Sequence, residues 1–134
     1  ADWHEERLRN ARQIWDTART LPGLRVPALP ADIEHAAYKC YVYVEPSALR
    51  EGRGRDRILG EINAAGVPCY SGSCSEVYLE KAFDGTPWRP TERLPVAREL
   101  GERSLMFLVH PGLKPSEIAR TCETLATVMQ GASR

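Results

Sequence analysis

The sequence predicts one α/β domain, an α+β two-layer sandwich in which a small sheet of about three to four strands is flanked by helices. Three observations predict it. Leu105-Met106-Phe107-Leu108-Val109 is an uninterrupted apolar run too short for a free-standing helix, so it reads as a central strand covered on both faces. Residues 36–45 alternate: Tyr38, Cys40, Val42 and Val44 fall on one face and Lys39, Tyr41, Tyr43 and Glu45 on the other, which reads as a strand with one dry face. Four further stretches repeat apolar residues at helical period, giving the order helix, strand, helix, strand, helix, strand, helix over residues 1–134.

Asp2-Trp3-His4-Glu5 has the spacing of a capping box, and Leu8, Ala11, Ile14, Trp15 and Ala18 follow at helical period, so a first helix is expected over residues 1–20. Leu21-Pro22-Gly23 ends it. Pro22, Pro27 and Pro30 keep the next residues extended, with at most a short strand near Leu24 to Val26. After the alternating strand, Pro46 stops pairing, and a turn carrying Arg50, Arg53, Arg55 and Arg57 leads into a helix with Ile58, Leu59, Ile62 and Ala65 inward. Gly66 stands at its C-terminal cap position. Glu51 and Asp56 partly neutralise the arginines, so this reads as a solvated turn.

Val67 to Tyr70 suits a short strand, and Ser71-Gly72-Ser73-Cys74-Ser75 is too small and polar for a core, hence a loop. A less regular stretch through Tyr78, Phe83 and Trp88 follows. Pro95 opens a third helix through Val96, Ala97 and Leu100, which Gly101 to Arg103 closes. His110-Pro111-Gly112 breaks the central strand, and Pro115 starts a last helix whose inward stripe is Ile118, Cys122, Leu125, Ala126 and Met129.

Composition excludes several functions. Eighteen basic residues balance eighteen acidic ones, so the basic excess that displaces counterions from nucleic-acid phosphates is absent. No apolar run approaches the ~20 residues that cross a bilayer, and no signal-peptide pattern opens the chain. The expectation is a soluble, cytoplasmic domain with neither nucleic-acid nor membrane partners. Cys40, Cys69, Cys74 and Cys122 lack the paired spacing of a zinc site and read as reduced thiols rather than a metal or redox centre. No nucleotide-loop, zincin or hydrolase-elbow motif is present.

Candidate chemistry is sparse. Of His4, His35 and His110, only His110 ends an expected core strand where a cleft could form. Cys74 has no helix N-terminus or basic neighbour in sequence to activate it. Tyr70-Ser71-Gly72-Ser73-Cys74-Ser75, directly after a strand, offers hydroxyls and close backbone approach suited to a polar small molecule.

Three segments taken together carry a resemblance: His35-Ala-Ala-Tyr-Lys-Cys-Tyr-Val-Tyr-Val44, Asp56-Arg-Ile-Leu-Gly-Glu-Ile-Asn-Ala-Ala-Gly-Val67, and Leu94-Pro-Val-Ala-Arg-Glu-Leu100 followed by Leu108-Val-His-Pro-Gly-Leu113. They resemble the DegT/DnrJ/StrS family of PLP-dependent sugar aminotransferases, and match only its C-terminal small domain. The resemblance implies that residues 1–20 form the helix joining a large domain to this one, and that the small domain closes over a site shared between domains and dimer partners. It implies substrate-facing roles for Tyr70, Ser71, Gly72, Ser73 and Cys74, with Tyr78 just beyond and His110 in the matching His-Pro segment. Where many relatives have His-Tyr-Pro followed by a further His, this chain has Tyr70-Ser-Gly-Ser-Cys-Ser75, and Lys39 stands where an aromatic-His pair is common.

The resemblance also implies an incomplete catalyst. Transamination requires a lysine that holds PLP, a carboxylate on the pyridinium nitrogen and a phosphate cup. The resemblance places all three on the absent N-terminal large domain, and Lys39, Lys81 and Lys114 fall in no such motif. No catalytic, cofactor-binding or metal residue is therefore expected here, and the chain alone is expected to be inactive. The alternative is a stand-alone small-ligand or protein-interaction module. The two readings differ at the first helix, whose apolar face, with Leu8 and Trp15, a fragment should leave partly uncovered.

Overall fold

The computed structural model describes residues 2–134; Ala1, the first residue of the expected opening helix, lies outside the described residues. The chain runs α1 (Asp2–Arg19), β1 (Leu24–Arg25), β2 (Cys40–Val44), α2 (Arg55–Ala64), β3 (Cys69–Tyr70), α3 (Pro95–Arg103), β4 (Ser104–Phe107) and α4 (Pro115–Ala132). Short 3-10 turns occupy Pro46–Ala48, Val77–Leu79 and Lys81–Phe83. Asp2 already belongs to α1, so Asp2 and Glu5 both lie in its first turn, where their charge meets the positive end of the helix dipole.

The four strands form one antiparallel sheet in the order β1-β2-β4-β3. β4 is therefore internal, and all four of its residues are buried; it starts one residue earlier than the apolar run, at Ser104, and Leu108 and Val109 of that run lie beyond it. Cys40 and Cys69 both pair with Phe107, while Tyr41 and Tyr70 both pair with Met106. Residues directly opposite one another share a sheet face. One face is thus a row of Cys40, Phe107 and Cys69 under the helices. The other is a row of Tyr41, Met106 and Tyr70, and the flanking tyrosines leave Met106 only 7% exposed.

α1, α2 and α4 cover the first face, contributing Ala11, Ile14, Trp15, Ala18, Ile58, Ile62, Ile118, Leu125 and Met129 to a single core. The Trp15 Nε1–H donates to the Tyr41 carbonyl at 3.0 Å, fixing α1 to β2. α1 is consequently a core helix over most of its length. Only Trp3, 74% exposed, and half-buried Leu8 leave its apolar face partly open, so the coverage expected to separate a fragment from a free module does not do so.

Two expectations need correction. β2 starts at Cys40, and Tyr38 is 77% exposed rather than on the dry face. The cause is Ala37, whose φ of 47° turns the backbone out of the strand, while its N–H donates to His35 Nδ1 at 3.0 Å. The arginine turn, too, is a set of structural anchors rather than a solvated turn. Arg53 pairs bidentately with Glu61 at 2.7 and 2.6 Å. Arg55 Nη1 donates to the Gly101 and Ser104 carbonyls at 3.0 and 2.9 Å, tying α2 to the α3–β4 junction. Arg50 Nε donates to the Ser133 carbonyl at 2.6 Å, holding the end of α4.

Candidate functional site

The Ser71–Ser75 loop leaves β3 at the end of the sheet where β4 begins, and the Ser104 hydroxyl donates to the Ser71 carbonyl at 2.5 Å. The loop then lies against the Tyr41 side chain. Gly72 has φ 99°, and a Cβ there would stand 2.5 Å from Tyr41 Cε1, so both backbone shape and space demand glycine. The Ser73 N–H donates to Tyr41 Oη at 3.1 Å, and Lys39 Nζ donates to Ser73 Oγ at 2.7 Å. Burial pushes the Tyr41 phenol up, but the hydrogen bonds from Ser73 and the nearby Lys39 charge outweigh it and leave the group more acidic than an ordinary tyrosine.

The loop separates two depressions. One, of about 430 Å³, is lined by residues that include Tyr38, Lys39, Tyr41 and Ser73. The other, of about 380 Å³, runs from Arg55 past Ser71–Glu76 to Gly101. Gly101 lies inside α3 because the helix passes Ser75: a Cβ there would meet Ser75 Oγ at 2.0 Å. α3 closes over Gly101 to Arg103, as its sequence indicates.

Tyr70, Ser71, Gly72, Ser73 and Cys74 are thus brought together, with Tyr41 and Lys39 added by the sheet. Cys74 is exposed, and its thiol, 3.3 Å from Glu80 Oε1, is pushed up by that carboxylate, so it is a poor nucleophile. Cys69 is buried under the helices, and burial raises its thiol to about 12. Among the described residues no group of His, Cys, Asp and Glu is arranged to hold a metal, and no helix is long and apolar enough to cross a membrane.

Tyr78 and His110 do not join this cluster. Tyr78 donates from its hydroxyl to Glu76 Oε1 at 2.7 Å and accepts the Leu94 N–H at 2.8 Å, bracing the excursion between β3 and α3. His110 lies three residues past Phe107, beyond the other end of β4; its carbonyl accepts from Asn10 Nδ2 at 3.5 Å and its ring lies beside Gly112. Tyr41 is marked in the sequence only by the polar face of the alternating strand, and Lys39 also by its departure from the aromatic-His pair common in the family it resembles.

The excursion has an acid-sensitive lock. Arg93 grips Glu76 with two nitrogens, and this pairing first, then the Tyr78 hydroxyl, lowers the Glu76 carboxyl from the ordinary 4.5 to about 2. A depressed carboxyl adds stability that is fully present above its unfolded pKa and is lost as pH falls toward the folded value. Hydrogen-exchange protection of the Leu94 amide is therefore expected to fall between about pH 4.5 and 2. Glu76→Gln should remove that acid step; an unchanged profile in the variant would show the lock lies elsewhere.

No protein-family model matches the chain, and none of the curated proteins matches it. Solved structures do. An aminotransferase from Psychrobacter cryohalolentis is 49% identical with a TM-score of 0.89, covering 97% of this chain and 35% of that one. A DegT DnrJ EryC1 StrS aminotransferase from Brucella abortus is 23% identical with a TM-score of 0.75, over 96% of this chain and 31% of that one. The fold is that of a DegT/DnrJ/StrS aminotransferase small domain. An aminotransferase from Streptoalloteichus hindustanus, 21% identical with a TM-score of 0.79, shares the small-domain fold over 97% of this chain and 32% of its own. The chain spans about a third of the length of the aminotransferases it matches.

Proposed function

We propose that this chain is the C-terminal small domain of a PLP-dependent aminotransferase that transfers an amino group to a sugar-like keto substrate, and that it closes over the substrate while a large domain outside these residues supplies the chemistry. The 49% identity across nearly the whole chain to an aminotransferase three times as long carries the reading. In this proposal residues 1–20 join the two domains, the parent enzyme is a cytoplasmic homodimer, and Tyr70 to Cys74 face the substrate, offering hydroxyls and excluding water.

The residues of this chain do not fit resident PLP. PLP serves as an electron sink once a lysine amine holds it as an imine, and it needs a carboxylate on its ring nitrogen and a cup for its phosphate. Lys39 Nζ is engaged by Ser73, and Glu34, the carboxylate in the same depression, lies 3.1 Å from His4 Nε2. Lys81 and Lys114 stand exposed on a 3-10 turn and before α4.

The 134-residue chain incubated with PLP and glutamate is thus expected to give no amino transfer to the cofactor, and borohydride is expected to leave no preferred pyridoxyl adduct on Lys81 or Lys114. Joined to the polypeptide preceding it in the same reading frame, the chain should support glutamate-dependent amino transfer to a keto-sugar. Glutamate-dependent amino transfer to PLP by the isolated chain, or a reading frame with no lysine-bearing domain upstream, would overturn the proposal.

A further inference from the structure

We propose that Lys39, Ser73 and Tyr41 form a subsite for an oxyanion, a phosphate or carboxylate group carried by the ligand over which the Ser71–Ser75 loop closes. The inference rests on the small-domain reading above and adds the chemistry that the loop recognises.

The first observation is an inventory of donors. Lys39 uses one of its three N–H groups on Ser73 Oγ at 2.7 Å, and among the described residues it has no ion-pair partner. The cations nearest along the same sheet face are already satisfied: Arg25 and Arg103 both pair with Glu45, at 3.1 and 3.6 Å. Ser73 Oγ accepts from Lys39, which leaves its own O–H to donate outward. Tyr41 Oη accepts the Ser73 N–H at 3.1 Å and its own O–H donates to Ser73 Oγ at 3.5 Å, so the phenol orients Ser73. The wall of the 430 Å³ depression therefore presents the Lys39 ammonium and the Ser73 hydroxyl as outward donors, which suit an oxyanion, while Glu34, the carboxylate lining the same depression, is taken up by His4 at 3.1 Å.

The second observation is the backbone around them. Ala37, with φ 47°, is the only non-glycine among the described residues in the left-handed region, and Gly72, against the Tyr41 ring, has φ 99°. Ala37 lines the depression itself. Strain of this kind persists only where the surrounding structure holds it. Its consequence is that β2 starts only at Cys40 and the Tyr38 ring stands in solvent, with Lys39 Nζ over it at 5.6 Å from the ring centroid. The exposed Tyr38 ring beside Lys39 on this wall is placed to meet the carbon skeleton that carries the anion.

The test is a titration of the ¹⁵N-labelled 134-residue chain with inorganic phosphate and, separately, acetate, at ionic strength held constant with chloride. The Gly72 and Ser73 amide signals are expected to move saturably. Lys39→Met should weaken binding about tenfold or more, Tyr41→Phe should weaken it several-fold with the ring retained, and Lys114→Met should leave it unchanged. Lys39→Gln serves where the methionine variant loses signal dispersion. Response to phosphate alone assigns a phosphoryl group, and response to both anions assigns a general carboxylate or phosphate site. No saturable movement with either, or wild-type affinity in the Lys39 variants, overturns the subsite. Amino transfer by the joined polypeptide without anion binding would remove the subsite and leave the lid; anion binding with no upstream aminotransferase domain would do the reverse.

Discussion

Phe107→Ala is expected to destabilise the domain by about 3–5 kcal/mol, read as a shift of the urea midpoint at unchanged slope. Phe107 is fully buried in the internal strand β4, directly between Cys40 and Cys69 on the helix-covered face. Both neighbours are small, and both are pinned by ladder pairing, so neither can move to fill the space that the ring vacates. Burial leaves the Cys40 and Cys69 thiols protonated and unable to recruit water into that space as anions. Phe107→Leu, which keeps most of the volume, should cost less than about 1.5 kcal/mol. An alanine variant losing under about 1 kcal/mol would mean that the helices collapse onto the sheet far more readily than this packing permits.

The strand that sets this core was legible because burial on both faces leaves its mark in one short window of sequence, the apolar run from Leu105. The helices were legible through period, and α4 begins at Pro115 as its sequence indicates. α3 shows where period fails: Val96 and Leu100 repeat correctly, yet α3 buries no residue, because it lies outside the layer that α1, α2 and α4 form. The arginine anchors were illegible for a different reason. Arg50 and Arg55 donate to backbone carbonyls 46 to 83 residues away, which carry no side-chain identity for a sequence to display, whereas Arg53 takes the Glu61 side chain only eight residues on.

The candidate site divides the same way. Small polar residues after a strand announced the Ser71–Ser75 loop locally. That Tyr41 supports it depends on β4 lying between β2 and β3, a topological fact that no local pattern contains. Ala37 hid the start of β2, since an alanine gives no compositional sign of a left-handed turn.

Gly72→Ala is expected to cost about 2–4 kcal/mol, the sum of left-handed strain of about 1–2 and the overpacking of a Cβ against a ring. The clash is with Tyr41 Cε1 at 2.5 Å and its hydroxyl at 3.0 Å. The ring cannot swing away freely, because its hydroxyl holds the Ser73 amide and Ser73 in turn holds Lys39. The loop must therefore yield, carrying Ser73 out of register with β2. A double-mutant cycle separates the two costs. In a Tyr41→Ala background the steric part is gone, and the same glycine substitution should cost only the strain, about 1–2 kcal/mol. Thermal unfolding of the four proteins supplies the cycle, and the Ser73 amide shift reports whether the loop has moved. Additive losses, or a Ser73 signal unchanged in Gly72→Ala, would show that Tyr41 does not template the loop and that the segment proposed to face substrate takes its shape from elsewhere in the chain.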